Sequence, residues 1–78
     1  MTEAEYSRRR AAAAALLEER RLEALLVSSP ANVRYLTGFT GSNGLAVLTG
    51  RGAVLFTDPR YKLQAGQETA CRVRTARG

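Results

Sequence analysis

Residues 44–58, GLAVLTGRGAVLFTD, constrain the fold more than any other stretch of this chain. Two almost entirely apolar runs, Leu45 to Thr49 and Ala53 to Thr57, flank Gly50-Arg51-Gly52. Short apolar runs around a glycine-bearing turn predict a β-hairpin, with glycine supplying the positive φ that the turn needs. A strand with one wet face alternates apolar and polar residues, and these two do not, so both faces of the hairpin are expected to be covered. The 78 residues make one domain at most. A domain this small buries only about 60% of the surface its unfolded chain exposes, so its cover has to be helices packed directly on the sheet.

The remaining segments supply them. Thr2 and Glu5 have the spacing of a capping box, and the alanine-, leucine-, arginine- and glutamate-rich run behind them predicts a helix to about Arg20. Tyr6, Ala13, Leu16 and Leu17 fall near one side of it. ALLVSS, Ala24 to Ser29, fits a central strand buried on both faces. Ser29 and Pro30 then suit the cap and first position of a short helix that Gly38 closes, with Val33 and Leu36 toward the core. Asp58 and Pro59 open a further helix through Tyr61, Leu63 and Ala65 to about Glu68. In CRVRTARG, Cys71, Val73 and Thr75 share one face and Arg72 and Arg74 the other, as in a fourth strand. The order α-β-α-β-β-α-β predicts an α/β fold, a mixed sheet with an antiparallel hairpin flanked by helices. The last strand reaches the C-terminus with nothing after it to cover it. Residues 1–78 are therefore expected to be a single incomplete domain that continues beyond Gly78.

Composition excludes several kinds of chemistry. The chain has no histidine, the commonest general base and metal ligand. Beyond Glu23 its only acidic residues are Asp58 and Glu68, too few for a carboxylate metal centre. No catalytic residue and no metal ligand is expected here. The balance of 12 Lys+Arg to 7 Asp+Glu gives a net charge of +5, but the basic residues are scattered and only Tyr35, Phe39 and Tyr61 could interleave with them. That pattern suits solvated faces better than a nucleic-acid footprint. The single cysteine, Cys71, allows no internal disulfide and suits a reducing compartment. No run approaches the roughly 18 apolar residues of a membrane helix. The N-terminus superficially mimics a signal peptide, but Glu3 and Glu5 precede the arginines and the apolar run leads into EERR. A surface helix of a cytoplasmic protein is expected.

YLTGFTGSNG spaces Gly38, Gly41 and Gly44 by three. A dinucleotide fingerprint needs G-x-G-x-x-G before a helix, whereas here a strand follows; a P-loop needs a lysine that is missing. Gly38 reads as a helix cap and Gly41 and Gly44 as parts of a compact turn, with Thr40, Ser42 and Asn43 satisfying local backbone groups. Phe39 beside three small polar side chains is also a mix suited to ligand contact.

LEALLVSSPANVRYLTGFTGSNG and AVLFTDPRYKLQA, in that order and at that separation, resemble the N-terminal domain of the creatinase / Xaa-Pro aminopeptidase / prolidase family. The resemblance covers about residues 16–70, and YLTGFTGSNG with TDPRY looks more like Xaa-Pro aminopeptidase than creatinase. It implies a ribonuclease-H-like fold without catalytic groups, supporting oligomerisation and the rim of an active site. The chemistry would belong to a missing C-terminal pita-bread domain holding two divalent metal ions, typically manganese. The implied partners are that catalytic domain, further copies of the chain, and a peptide with proline at its second position. By resemblance, Arg60 and the loop residues Phe39, Thr40, Ser42 and Asn43 lie on the substrate side. Asp58, Tyr61, Gly38, Gly41 and Gly44 would support them. A related prolidase or creatinase-like hydrolase, or a stand-alone protein- or nucleic-acid-interaction module, are the alternatives. The family often has glycine at position 21. Arg21 must either adopt a left-handed conformation, at about 1 kcal/mol, or end its helix differently.

Overall fold

A computed structural model describes residues 2–75, and the end of the segment Cys71–Gly78 lies outside the described residues. Helix α1 runs Glu3–Glu19, strand β1 Ala24–Val27, helix α2 Pro30–Thr37, strands β2 Gly44–Thr49 and β3 Gly52–Thr57. A 3-10 turn, Pro59–Tyr61, then leads into helix α3, Lys62–Glu68, and strand β4, Arg72–Thr75. The element order is the expected one. What reads as one helix after Asp58 is a 3-10 turn continued by an α-helix.

Local chemistry explains the element ends. Thr2 accepts from the Glu5 N–H, Ser29 from the Asn32 N–H and Asp58 from the Arg60 N–H, so each start has its side-chain cap. Gly38 closes α2 in the left-handed region at φ 85°. Arg21 takes the left-handed alternative as well, at φ 57°. Only Gly52 of the hairpin turn has positive φ.

The sheet order is β1-β2-β3-β4, with β1/β2 and β2/β3 antiparallel and β3/β4 parallel. Register places Val27, Ala46, Leu55 and Val73 in one row across all four strands. Leu17 of α1, Val33 and Leu36 of α2, Phe39 and Ala65 of α3 pack on that face, forming one core with Val27, Ala46, Leu48 and Leu55. All three helices thus cover the same side. The opposite face carries Leu45, Val47, Val54 and Phe56, each only half-buried, with exposed Arg72 and Arg74 at its β4 end.

Two expectations fail here for one reason. β1 is an edge strand, not a central one, and of its residues only Val27 is buried; Leu26 is 67% exposed. The hairpin is covered on one face rather than two among the described residues. Apolar content signals that a strand can be covered twice, but cover comes from elements elsewhere in the chain. Leu16 is likewise exposed, because helix phase turns its neighbour Leu17 inward instead.

The Arg8–Arg10 run is not simply solvated. Arg9 Nη1 donates to the Tyr35 carbonyl and Arg10 Nη1 to the Leu36 carbonyl, both at 2.9 Å. These are carbonyls of the last turn of α2, which have no partner within their own helix. Arg9 also lies over the Tyr35 ring at 4.1 Å, and Arg10 pairs with Glu3. Helix α1 thereby caps the helix that leads into the glycine loop. Cys71 is half-buried at the α3–β4 corner, where burial pushes its thiol up.

Candidate functional site

The loop between α2 and β2 starts from a fixed point. Thr37, fully buried, donates its hydroxyl to the Val33 carbonyl at 2.7 Å and accepts the Phe39 N–H at 3.1 Å. This turns the Phe39 ring inward to 1% exposure, edge-on to Tyr61 with ring centroids 5.9 Å apart. Phe39 is therefore a core residue, not a rim residue. A ring so enclosed has no surface to offer a ligand, which corrects its expected place on the substrate side.

The glycines answer to that ring. A Cβ on Gly41 would sit 2.2 Å from Phe39 Cζ, and one on Gly44 would sit 3.0 Å from Phe39 Cε2. The loop backbone folds across the face of the phenyl group, and only glycine allows so close an approach.

The three polar side chains of the loop all bond outward to one distant segment. Thr40 gives its N–H and hydroxyl to the two carboxylate oxygens of Glu68, at 2.9 and 2.8 Å. Ser42 Oγ and the Tyr61 hydroxyl are 2.8 Å apart. Asn43 Nδ2 donates to Asp58 Oδ2 at 2.8 Å. As the loop advances from 40 to 43, its partners run back from 68 to 58, so the loop is laced against the 3-10 turn and α3. Local backbone satisfaction, the simpler expectation for these side chains, is not what they provide.

Glu68 and Gln64 are the members that sequence reasoning missed. Gln64 Nε2 donates to Thr40 Oγ1 at 3.0 Å and to Glu68 Oε1 at 3.2 Å. The only signal was their i,i+4 spacing on one helix face, which does not say what the face meets. Partial burial pushes the Glu68 carboxyl up, but donation from Thr40 and Gln64, with the Arg34 charge, outweighs it and leaves the pKa lowered. A carboxyl whose folded pKa is depressed contributes stability that is complete above its unfolded value of about 4.3 and is lost as pH falls through the folded one. Urea midpoints should therefore fall for Glu68→Gln near neutral pH. The gap from wild type should close as the buffer is taken down through and below pH ~4. A gap that does not change with pH would mean the carboxylate charge does not hold the loop.

Arg60 is what this platform leaves exposed, with 76% of its side chain in solvent. Asp58 holds it in a fork: Oδ1 accepts the backbone N–H at 2.8 Å and Nε–H at 3.1 Å, and Oδ2 accepts from Nη2 at 2.8 Å. The side-chain bonds from Arg60 and then Asn43 hold the Asp58 carboxyl well below the usual carboxylate range. The same pairing raises the Arg60 pKa. Tyr61 packs under the loop, and Arg60 lies 5.3 Å from its ring.

This site is an open rim. Two concavities of about 600 and about 420 Å³ lie elsewhere, beside α1 and beside β1, and neither is lined by residues 39–43 or 58–61. Among the described residues no three of His, Cys, Asp and Glu stand together. No described helix is long and apolar enough to cross a membrane.

A mixed sheet covered by helices, carrying a glycine loop laced to an arginine-bearing turn, defines an α/β domain that presents a fixed guanidinium, Arg60, beside that loop. The chain belongs to the Creatinase/Prolidase N-terminal domain family, whose model matches residues 9–78. It is 54% identical over 44 residues to the uncharacterized peptidase YqhT of Bacillus subtilis (strain 168), which covers 56% of this chain and 12% of that protein. It is 53% identical over 36 residues to the Xaa-Pro aminopeptidase app-1 of Caenorhabditis elegans, 46% of this chain and 6% of that one. The crystal structure of an Xaa-Pro aminopeptidase from Streptococcus pyogenes superposes with a TM-score of 0.91 at 32% identity, over 97% of this chain and 60% of that chain. The matched stretch is thus a small part of the curated relatives' length.

Proposed function

We propose that this chain is the non-catalytic N-terminal part of a cytoplasmic, metal-dependent Xaa-Pro aminopeptidase. In this reading it supports oligomerisation and the rim of an active site whose two divalent ions, manganese by resemblance, are held by a separate C-terminal domain. The observation that carries the reading is Arg60: a guanidinium fixed by Asp58, exposed, and standing beside a loop that Phe39, Tyr61 and Glu68 hold in place. A cation on an open rim has nothing to act on until another surface faces it, which suits a domain that completes a cleft rather than contains one. Its natural partner is a carbonyl or carboxylate oxygen of a peptide. Thr40, Ser42 and Asn43 serve this site by holding the platform, since each uses a side-chain polar atom on a partner within it.

The test is kinetic, in the enzyme that joins this domain to its catalytic domain. Arg60→Ala should lower kcat/KM on an Xaa-Pro-Yaa peptide by about 10- to 100-fold, the range of a lost hydrogen bond to a charged group. Its circular dichroism should be unchanged. The 78-residue chain alone, supplied with Mn²⁺ and the same peptide, should show no turnover. Unchanged kinetics would remove Arg60 from the substrate side, and turnover by the chain alone would overturn its non-catalytic reading.

A further inference from the structure

Asn43 is tied at two points. Its amide nitrogen donates to Asp58 Oδ2, and its backbone carbonyl accepts from the hydroxyl of Thr57, a residue only 4% exposed. It is held from behind by the core and grips Asp58 from the front. Asp58 in turn closes on the Nε/Nη2 edge of Arg60. The guanidinium therefore has one edge used, while both Nη1 hydrogens and the second Nη2 hydrogen lie at its far end. An exposed ion pair by itself holds two side chains weakly, because it must overcome the rotamer freedom of a long arginine. The Asp58 side chain is only 14% exposed; the Arg60 backbone N–H holds its Oδ1, and Asn43 is the side chain from outside the turn that holds its Oδ2.

We propose that Asn43 is a positioning residue for Arg60. By holding one oxygen of Asp58 it sets the carboxylate plane, and through that the guanidinium, so that the Nη1/Nη2 end faces a planar oxygen acceptor, a peptide carboxylate or carbonyl. The ligand half of this inference rests on the reading of Arg60 given above; the positioning half stands on the geometry of this chain alone.

Two measurements separate the halves. In the 78-residue chain, carbon-detected NMR follows the Asp58 carboxyl through an acid titration, and the Arg60 Nε–H signal reports how firmly that group is held. Asn43→Ala should move the Asp58 midpoint up toward the ordinary value of about 3.9 and speed exchange of the Arg60 Nε–H. The Ser42–Tyr61 and Thr40–Glu68 signals should stay in place. Asn43→Asp, which sets a second carboxylate against the first, should raise the midpoint further. Asp58 and Arg60 signals that do not move in either variant would overturn the proposal. So would a collapse of all three loop contacts together, because Asn43 would then be general loop support.

In the complete enzyme, Asn43→Ala should raise KM about fivefold, as for one net hydrogen bond, with little change in kcat. In an Arg60→Ala background it should add nothing, since a residue that acts only through Arg60 has nothing left to position. An undiminished effect in that background overturns the proposal, as does a silent Asn43→Ala beside a costly Arg60→Ala. If Arg60→Ala is itself silent while the NMR shifts appear, the substrate-side reading fails and the positioning stands.

Discussion

Phe39→Ala should strip away a large share of the folding stability of this chain. The ring is 1% exposed and lies among Tyr61, Leu55, Gly41 and Gly44, so its loss empties a site that the surrounding backbone cannot easily close. Truncating a buried phenylalanine costs about 3–5 kcal/mol. The whole stability of a chain of this length is on the order of 4–12 kcal/mol at ordinary values per residue. One substitution would therefore remove between about a quarter and all of it. Far-UV circular dichroism during a urea titration measures this directly: the midpoint should fall sharply, or no cooperative transition should remain. A loss below about 1 kcal/mol would show that the ring is not the packing centre described above.

Gly41→Ala should destabilise by the opposite route, by about 1–3 kcal/mol from overpacking. The added methyl would stand 2.2, 2.8 and 2.9 Å from three atoms of the Phe39 ring. A flexible side-chain tip could swing away, but this ring is enclosed, and the loop is tied on both sides of Gly41 by Thr40 and Ser42. Either the ring or the lacing has to give. The double variant tests the cause. In a Phe39→Leu background the clash is relieved, and Gly41→Ala should cost clearly less than it does in wild type, giving a favourable coupling energy. Strictly additive costs would locate the strain in the loop backbone instead.

These two residues also mark the limit of sequence reading. The presence of Gly41 and Gly44 is visible at once, and so is a spacing that differs from a dinucleotide fingerprint. Their reason is not visible, because it is a ring two residues before one and five before the other, which points inward only once Thr37 has bonded to Val33 and to the Phe39 N–H. Arg60 and Asp58 were legible as a pair, since a cap and a guanidinium two positions apart reach each other within one turn. Glu68 was not, since it meets Thr40 across 28 residues.

Whatever depends on neighbours in the chain was determined by the sequence itself. The capped starts at Thr2, Ser29 and Asp58, the left-handed stop at Gly38, the hairpin and the order of all seven helix and strand segments follow from propensities and bonds that span a few residues. Tertiary structure alone decided which face of the sheet is covered, that β1 lies at its edge, and that Phe39 is core while Arg60 is rim. The physical reason is that an all-apolar strand presents two equivalent faces, so its pattern cannot choose between them. A short polar side chain is equally ready to bond its own loop or a helix 15 to 28 residues away. Packing breaks both ties: burying Phe39, Leu48 and Leu55 together chooses the covered face, and it brings the polar side chains of the loop to Glu68, Tyr61 and Asp58.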